Sequence, residues 1–216
     1  MILVALLLPA LSRAREQAKT VQCLAQLRQL GQGFFGYAVS NAGRLPVWSR
    51  RHEYPIDPYP PDPGPGWPVL LERYVGQKPL GPLYHCPAWP DTEKRMNYFL
   101  GARWMHEQQP LLRTIPLGRI RQSTTYILSG DCTTQAYYPP PFGNDTSSPN
   151  EDIDKDDGAS ECLAFAGTSG GFNMHRVGNN VLFADGHAAT FAKFDPAYLT
   201  YSPLTPGVAY EDVGPE

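Results

Sequence analysis

Residues 1–43, MILVALLLPALSRAREQAKTVQCLAQLRQLGQGFFGYAVSNAG, carry one continuous helical pattern. Val21, Leu24, Leu27, Leu30 and Phe34 recur at three- and four-residue steps, with Tyr37 and Ala38 one turn further on. Gln22, Gln26, Arg28, Gln29 and Gln32 fill much of the remainder, so the apolar residues form a stripe along one side. Nothing between Leu11 and Leu30 is a strong breaker; Gly31, Gly33 and Gly36 weaken the last turns, and Asn41-Ala42-Gly43 supplies a stop. The pattern predicts a single helix of roughly 35–40 residues, kinked near Pro9. A rod of that length outreaches a small domain, so its first half projects, and a projecting apolar rod is usable only inside a membrane or a bundle of like rods.

The leading apolar run ends at Leu11, short of the roughly 20 residues a helix needs to cross a bilayer. A signal peptide carries its positive charge ahead of the apolar stretch, whereas here Arg13 and Arg15 follow it. The other reading is the C-terminal half of a membrane helix whose upstream half lies outside these residues.

Composition bounds the rest. The 216 residues are 18% charged with a net charge of −3, which excludes a highly charged disordered chain and a generally basic nucleic-acid binder. Pro 23 and Gly 20 mark a folded chain with many turns. Arg13, Arg15, Lys19, Arg28, Arg44, Arg50 and Arg51 stand against Glu16 alone through residue 51, and the remainder is acidic. A basic rod beside an acidic body suits contact with lipid head groups, with the acidic surface of another copy or with nucleic acid, unless it is a solvated helix face.

The segment LLLPALSRAREQAKTVQCLAQLRQLGQGFFGYAVSNAGRLP resembles the N-terminal helix of prepilin-type proteins, the pilin and type II secretion pseudopilin superfamily, in a branch with a Cys-x-x-x-Leu-Arg-Gln-Leu-Gly signature, here Cys23 to Gly31. The resemblance makes Pro9 the helix-kinking proline and implies a cleavable leader and a first apolar half upstream. Near the other end, His175 is followed after nine residues by Asp185-Gly186, which resembles the prepilin-type processing-associated His, nine residues, Asp-Gly element. The resemblance implies an α+β, pilin-like fold: a long N-terminal helix on a small antiparallel sheet, with long Pro-rich loops and a C-terminal β-hairpin. It divides the chain into a helix, residues 1–40, and a head, residues 41–216, with a variable insertion at 132–172 and the His-Asp-Gly hairpin at 173–192.

Physically, the C-terminal element reads as a hairpin whose strand-like runs, Val181 to Ala184 and His187 to Phe191, are joined by Asp185-Gly186 in a two-residue type I′ turn. That turn would set Ala184 opposite His187, Phe183 opposite Ala188 and Val181 opposite Thr190, leaving apolar groups on both faces. His175, Asp185 and His187 offer a divalent metal three donors, and a His–Asp pair could orient a general base. Asp185 already has a turn role, so the favoured reading is structural, with His175 bonding backbone or a carboxylate. Residues 44–66 read as a Pro-rich loop carrying Trp48, Tyr54 and Tyr59, Trp67 to Val75 as a short helix, the stretch around Tyr98 as a strand, and Thr125 to Leu128 as another. This last strand resembles the family's penultimate core strand, which ends in an acidic residue, here Asp131.

Two ligand questions stay open. Asp152, Asp154 and Asp156 alternate as at the start of a calcium loop, but Asp157 sits where the EF-hand glycine belongs and Leu163 where its bidentate glutamate would be. A different calcium loop is the alternative to a solvated acidic one, and the resemblance adds that major pseudopilins hold calcium in their C-terminal region. Cys23, Cys86, Cys132 and Cys162 lack the short paired spacings of a zinc ribbon. In an exported head, Cys132 would pair with Cys162 across the insertion and Cys23 with Cys86; otherwise all four are buried thiols.

The expected function is a structural, non-enzymatic subunit of a type II secretion or type IV pilus-like filament in the cell envelope. It would be anchored in the inner membrane with a periplasmic head, or lie in an extracellular filament. Its partners would be copies of itself and other pilin-like subunits, with no nucleic acid, no required cofactor, and calcium as the one candidate ligand. The alternatives are a secreted or envelope-anchored binding module that is calcium- or carbohydrate-dependent, and, less favoured, a metal-dependent enzyme centred on His175 and His187.

Overall fold

The computed structural model describes residues 2–46, 67–78, 81–89, 97–101, 103–104, 113–133, 162–168 and 171–201. Helix α1 runs from Ile2 to Ser40, 39 residues, and continues through Pro9. Its end is a left-handed turn: Gly43 N donates to Ala38 O at 2.8 Å, with Ala42 and Gly43 at φ of 54° and 76°. Thus Asn41-Ala42-Gly43 does stop the helix.

The two halves of α1 differ in surroundings. Leu7, Leu8 and Leu11 are 59%, 62% and 50% exposed, and from residue 7 onward the first buried side chain is Thr20. From there Cys23, Leu27, Leu30, Phe34 and Ala38 face the core, with Leu24 and Tyr37 at its margins. Val21, which the apolar stripe includes, is instead 58% exposed. Packing on the sheet turns the helix so that Cys23 points inward, a rotation that hydrophobicity alone does not specify. No described helix is long and apolar enough to cross a membrane.

A four-stranded antiparallel sheet lies beside the second half of α1, in the order β1 (Tyr98–Leu100), β4 (Ile127–Asp131), β5 (Asn179–Phe183), β6 (Ala188–Phe191). Two short strands, β2 (Arg103–Trp104) and β3 (Arg113–Thr114), pair separately. Strand β4 starts two residues later than its sequence pattern suggests because Thr125 is held in a turn by Gln122. Every residue of β4 and β5 is buried, as central strands covered on both faces require. The observed architecture is therefore α+β, with a long N-terminal helix on a small antiparallel sheet.

The glycines of α1 are approach points. A Cβ on Gly31 would lie 3.1 Å from Leu182 of β5, and one on Gly33 would lie 2.4 Å from Val75 of helix α2 (Trp67–Val75). They let the sheet and α2 close on α1, a packing gain that offsets their weak helix propensity. Trp67 of α2 then reaches Phe34, with ring centroids 5.4 Å apart.

The β5–β6 hairpin forms, but in a different register. Val181 pairs with Ala189, Leu182 with Ala188 and Asn180 with Thr190, one residue off the expected alignment. The loop is three residues, Ala184-Asp185-Gly186: Gly186 N donates to Phe183 O and Phe183 N to His187 O, each at 2.9 Å. Only Gly186 has positive φ, at 91°, so this is a type I turn closed by a glycine bulge rather than the two-residue type I′ turn. The hairpin rests on α1, where a Gly186 Cβ would lie 2.9 Å from Phe35 and Arg28 Nη2 donates to Ala188 O at 3.1 Å.

Candidate functional site

Four separate parts of the chain converge in the core where α1 enters the head. Cys23 comes from α1, Cys86 from the loop after the 3-10 turn Pro82–Tyr84, Asp131 from the end of β4, and His175 from the turn that precedes β5. Their donor atoms all lie within 4.8 Å of one another, and all four residues are buried. Cys23 Sγ donates to Asp131 Oδ1 at 3.2 Å, His175 Nε2 lies 3.3 Å from Asp131 Oδ2, and Cys86 Sγ lies 3.5 Å from His175 Nε2.

Each of the four is held by polar contacts of its own. Asn180 N donates to Asp131 Oδ2 at 2.7 Å, while Asn180 Nδ2 donates to the carbonyl of Thr20 on α1 at 3.3 Å. Cys86 N donates to Asn97 Oδ1 at 3.1 Å, and Asn97 O accepts from Cys132 N at 2.9 Å. His175 and Gly178 exchange backbone bonds of 2.9 and 3.1 Å, forming a small loop that turns the imidazole inward. Tyr98 OH lies 3.2 Å from Cys23 Sγ and 2.9 Å from Gln26 Oε1. Beside the cluster, Asn179 binds Met174 N, Thr133 Oγ1 and the carbonyls of Ala164 and Phe172, tying the approach to β5 onto β4 and the 162–168 segment.

Burial sets the electrostatics. It pushes the Cys23 thiol well above its ordinary pKa, and the hydrogen bond with Cys86 and the charge of Asp131 act in the same direction. Burial also raises Cys86 and Tyr98. For His175 burial alone favours the neutral ring, but its hydrogen bonds to Asp131 and Cys23 win, and the pKa rises to about 10. Without a metal, the group at neutral pH is two thiols and a protonated His175 ring set against Asp131. Such thiols are poor nucleophiles, and their burial keeps substrates away. The chemistry open to the arrangement is binding a small cation or closing a disulfide.

The structure separates some of the expected site residues and joins others. His175 is not grouped with Asp185 and His187: it meets Asp131, while His187 Nδ1 lies 2.5 Å from Asp185 Oδ1 at the exposed hairpin tip and stacks on Phe183 at 4.1 Å. The three-donor site of His175, Asp185 and His187 is therefore corrected, because His175 is buried against Asp131 while Asp185 and His187 sit together at the hairpin turn; His175 bonds a carboxylate, as the structural reading expects. Asp185 keeps its turn role, accepting His187 N at 3.0 Å, and Gly186 supplies the positive φ. Cys23 and Cys86 do come together, but as thiols, in one group with Asp131 and His175. Cys132 and Cys162 are buried thiols on adjacent backbones, with Thr133 N donating to Cys162 O at 2.7 Å. Asp152, Asp154, Asp156 and Asp157, like Trp48, Tyr54 and Tyr59, lie outside the described residues.

No protein-family model, curated protein or solved structure matches the chain. Sequence reasoning set Cys86 and Asp131 apart from any metal role because ligand spacing is a local signal. Here Cys23 and Asp131 are 108 residues apart and Cys86 and His175 are 89 apart. The usable signal was the acidic end of β4, Asp131.

Proposed function

We propose that the chain is a pilin-like structural subunit of an envelope filament, of the type II secretion or type IV pilus kind. The observation that carries this reading is the exposed apolar stretch of α1 at Leu7, Leu8 and Leu11, ahead of the part of the helix that packs on the head. An apolar rod of this kind has a low free energy only against other apolar rods or lipid. A bundle of α1 helices from neighbouring copies and related subunits supplies that cover, with heads outside and helices in the filament core. In the envelope, α1 continues an inner-membrane segment and the head lies in the periplasm or in an extracellular filament. Arg13 and Arg15 then lie where acidic head surfaces or lipid head groups approach.

The test is self-association of the purified chain by sedimentation velocity over a range of concentrations. Association that the triple variant Leu7→Gln, Leu8→Gln, Leu11→Gln abolishes, and that Val177→Gln on the head leaves intact, supports the subunit reading. A wild-type chain that stays monomeric throughout, or a triple variant that associates like wild type, refutes it.

A further inference from the structure

We infer that Cys23, Cys86, Asp131 and His175 form a tetrahedral zinc site that clamps α1 to the sheet at the point where the rod enters the head. The donor set comes first. Two sulfurs, an imidazole nitrogen and a carboxylate oxygen are the ligand types zinc takes, and the sulfurs disfavour calcium and magnesium.

The geometry comes second. A tetrahedral zinc ion with bonds of about 2.0 Å to nitrogen and oxygen and about 2.3 Å to sulfur has ligand–ligand edges of about 3.3–3.8 Å. The observed edges are 3.2 Å from Cys23 Sγ to Asp131 Oδ1, 3.5 Å from Cys86 Sγ to His175 Nε2 and 3.3 Å from His175 Nε2 to Asp131 Oδ2. These are three of the six edges, the two to Asp131 run to different oxygens, and all four donor atoms lie within 4.8 Å of one another, so small side-chain adjustments bring them onto one ion.

The third argument is the setting. Asp131 is fully buried, and a carboxylate withdrawn from water needs strong compensation. Zinc would bond an Asp131 oxygen directly in place of the His175 ring, with the two thiols and the imidazolium giving up their protons to solvent. Around the ligands, Asn180 N fixes Asp131 Oδ2, Asn97 fixes the Cys86 backbone, and Tyr98 OH faces Cys23 Sγ, as outer-shell groups orient ligands at metal sites. The site also lies one turn past Thr20, where α1 first meets the core, so the ion links rod and head directly. This assignment stands independently of the filament reading.

The experiment is metal analysis of the full chain, expressed with added zinc and purified under reducing, chelator-free conditions. One equivalent of zinc per chain is expected, falling below a tenth in Cys86→Ser and His175→Ala and unchanged in Cys132→Ser. Because the first two variants remove core groups, cobalt substitution of the wild-type chain gives a second readout. A thiolate-to-cobalt charge-transfer band with intense tetrahedral ligand-field bands supports the site. Wild-type protein that holds less than a tenth of an equivalent and gives no tetrahedral cobalt spectrum overturns it. So does full zinc retention by Cys86→Ser, or recovery of a Cys23–Cys86 disulfide from metal-free native protein.

Discussion

Nε2 of His175 lies 3.3 Å from Oδ2 of Asp131, both side chains being all but inaccessible to water, while Asp185 pairs with His187 at the hairpin tip. Of the two His–Asp pairs, only the first is in the core, and burial decides what each contributes. Breaking a buried pair leaves an uncompensated charge and costs about 3–5 kcal/mol, whereas an exposed pair is worth about 0–1 kcal/mol. Asp131→Asn is therefore expected to destabilise the metal-free chain by about 3–5 kcal/mol. Asp185→Asn, which keeps the turn acceptor, should change stability by less than about 1 kcal/mol. Urea unfolding in the presence of chelator checks both, and equal losses would show that the buried pair contributes no more than the exposed one.

The two halves of α1 should respond to truncation in opposite ways. Leu30 is fully buried and Leu11 is half exposed. Leu30→Ala should destabilise the head by about 2–5 kcal/mol through the cavity it leaves. Leu11→Ala should stay within about 0.5 kcal/mol of wild type in the isolated chain. Thermal and denaturant unfolding of the two variants gives the comparison; a large loss in Leu11→Ala would mean that the rod is folded against something within the same chain.

Hydrogen exchange along α1 should step at Thr20. Residues 7–15 of the helix are exposed all round, whereas from Thr20 onward one face is in the core. Helical hydrogen bonds without tertiary cover open easily, and those under the sheet open only with the head. Amides before Thr20 should exchange well ahead of those from Cys23 to Ala38 in dilute protein, as followed by mass spectrometry of peptides. Uniform protection along the whole helix in the monomer would contradict the exposed rod.

Two glycines with similar local sequence roles should differ sharply. A Cβ on Gly101 would sit 2.2 Å from the carbonyl oxygen of Ile127, which is backbone and cannot move aside, whereas one on Gly118 meets nothing within 4 Å. Gly101 is tied to β4 by its N–H bond to Leu128 O at 2.7 Å, and its own carbonyl accepts the hydroxyl of Tyr126. Gly101→Ala is expected to cost about 1–3 kcal/mol or more by overpacking. Gly118→Ala should stabilise by about 0.4–1 kcal/mol through the unfolded chain. Melting temperatures in the same buffer test the contrast, and a tolerated Gly101→Ala would mean that β1 and β4 separate without penalty.

Periodic and turn signals made much of the fold legible in the residues themselves. The stripe through Leu27, Leu30 and Phe34, ended by Asn41-Ala42-Gly43, determined a helix close to the 39 residues observed, and the apolar spacing of Trp67 to Val75 determined the short helix that crosses it. The strand pattern around Asp185-Gly186 determined a hairpin, because side-chain alternation and turn chemistry act over a few residues. Its register was decided only in the folded chain, where the loop is three residues and Gly186 lies against Phe35 of the helix. The inward turn of Cys23, the outward turn of Val21 and the meeting of Cys86, Asp131 and His175 were likewise decided by tertiary structure. A side chain's local sequence sets its periodicity; which distant donors share its few ångströms of core depends on how helix, loop, strand and turn pack, and no spacing along the chain encodes that.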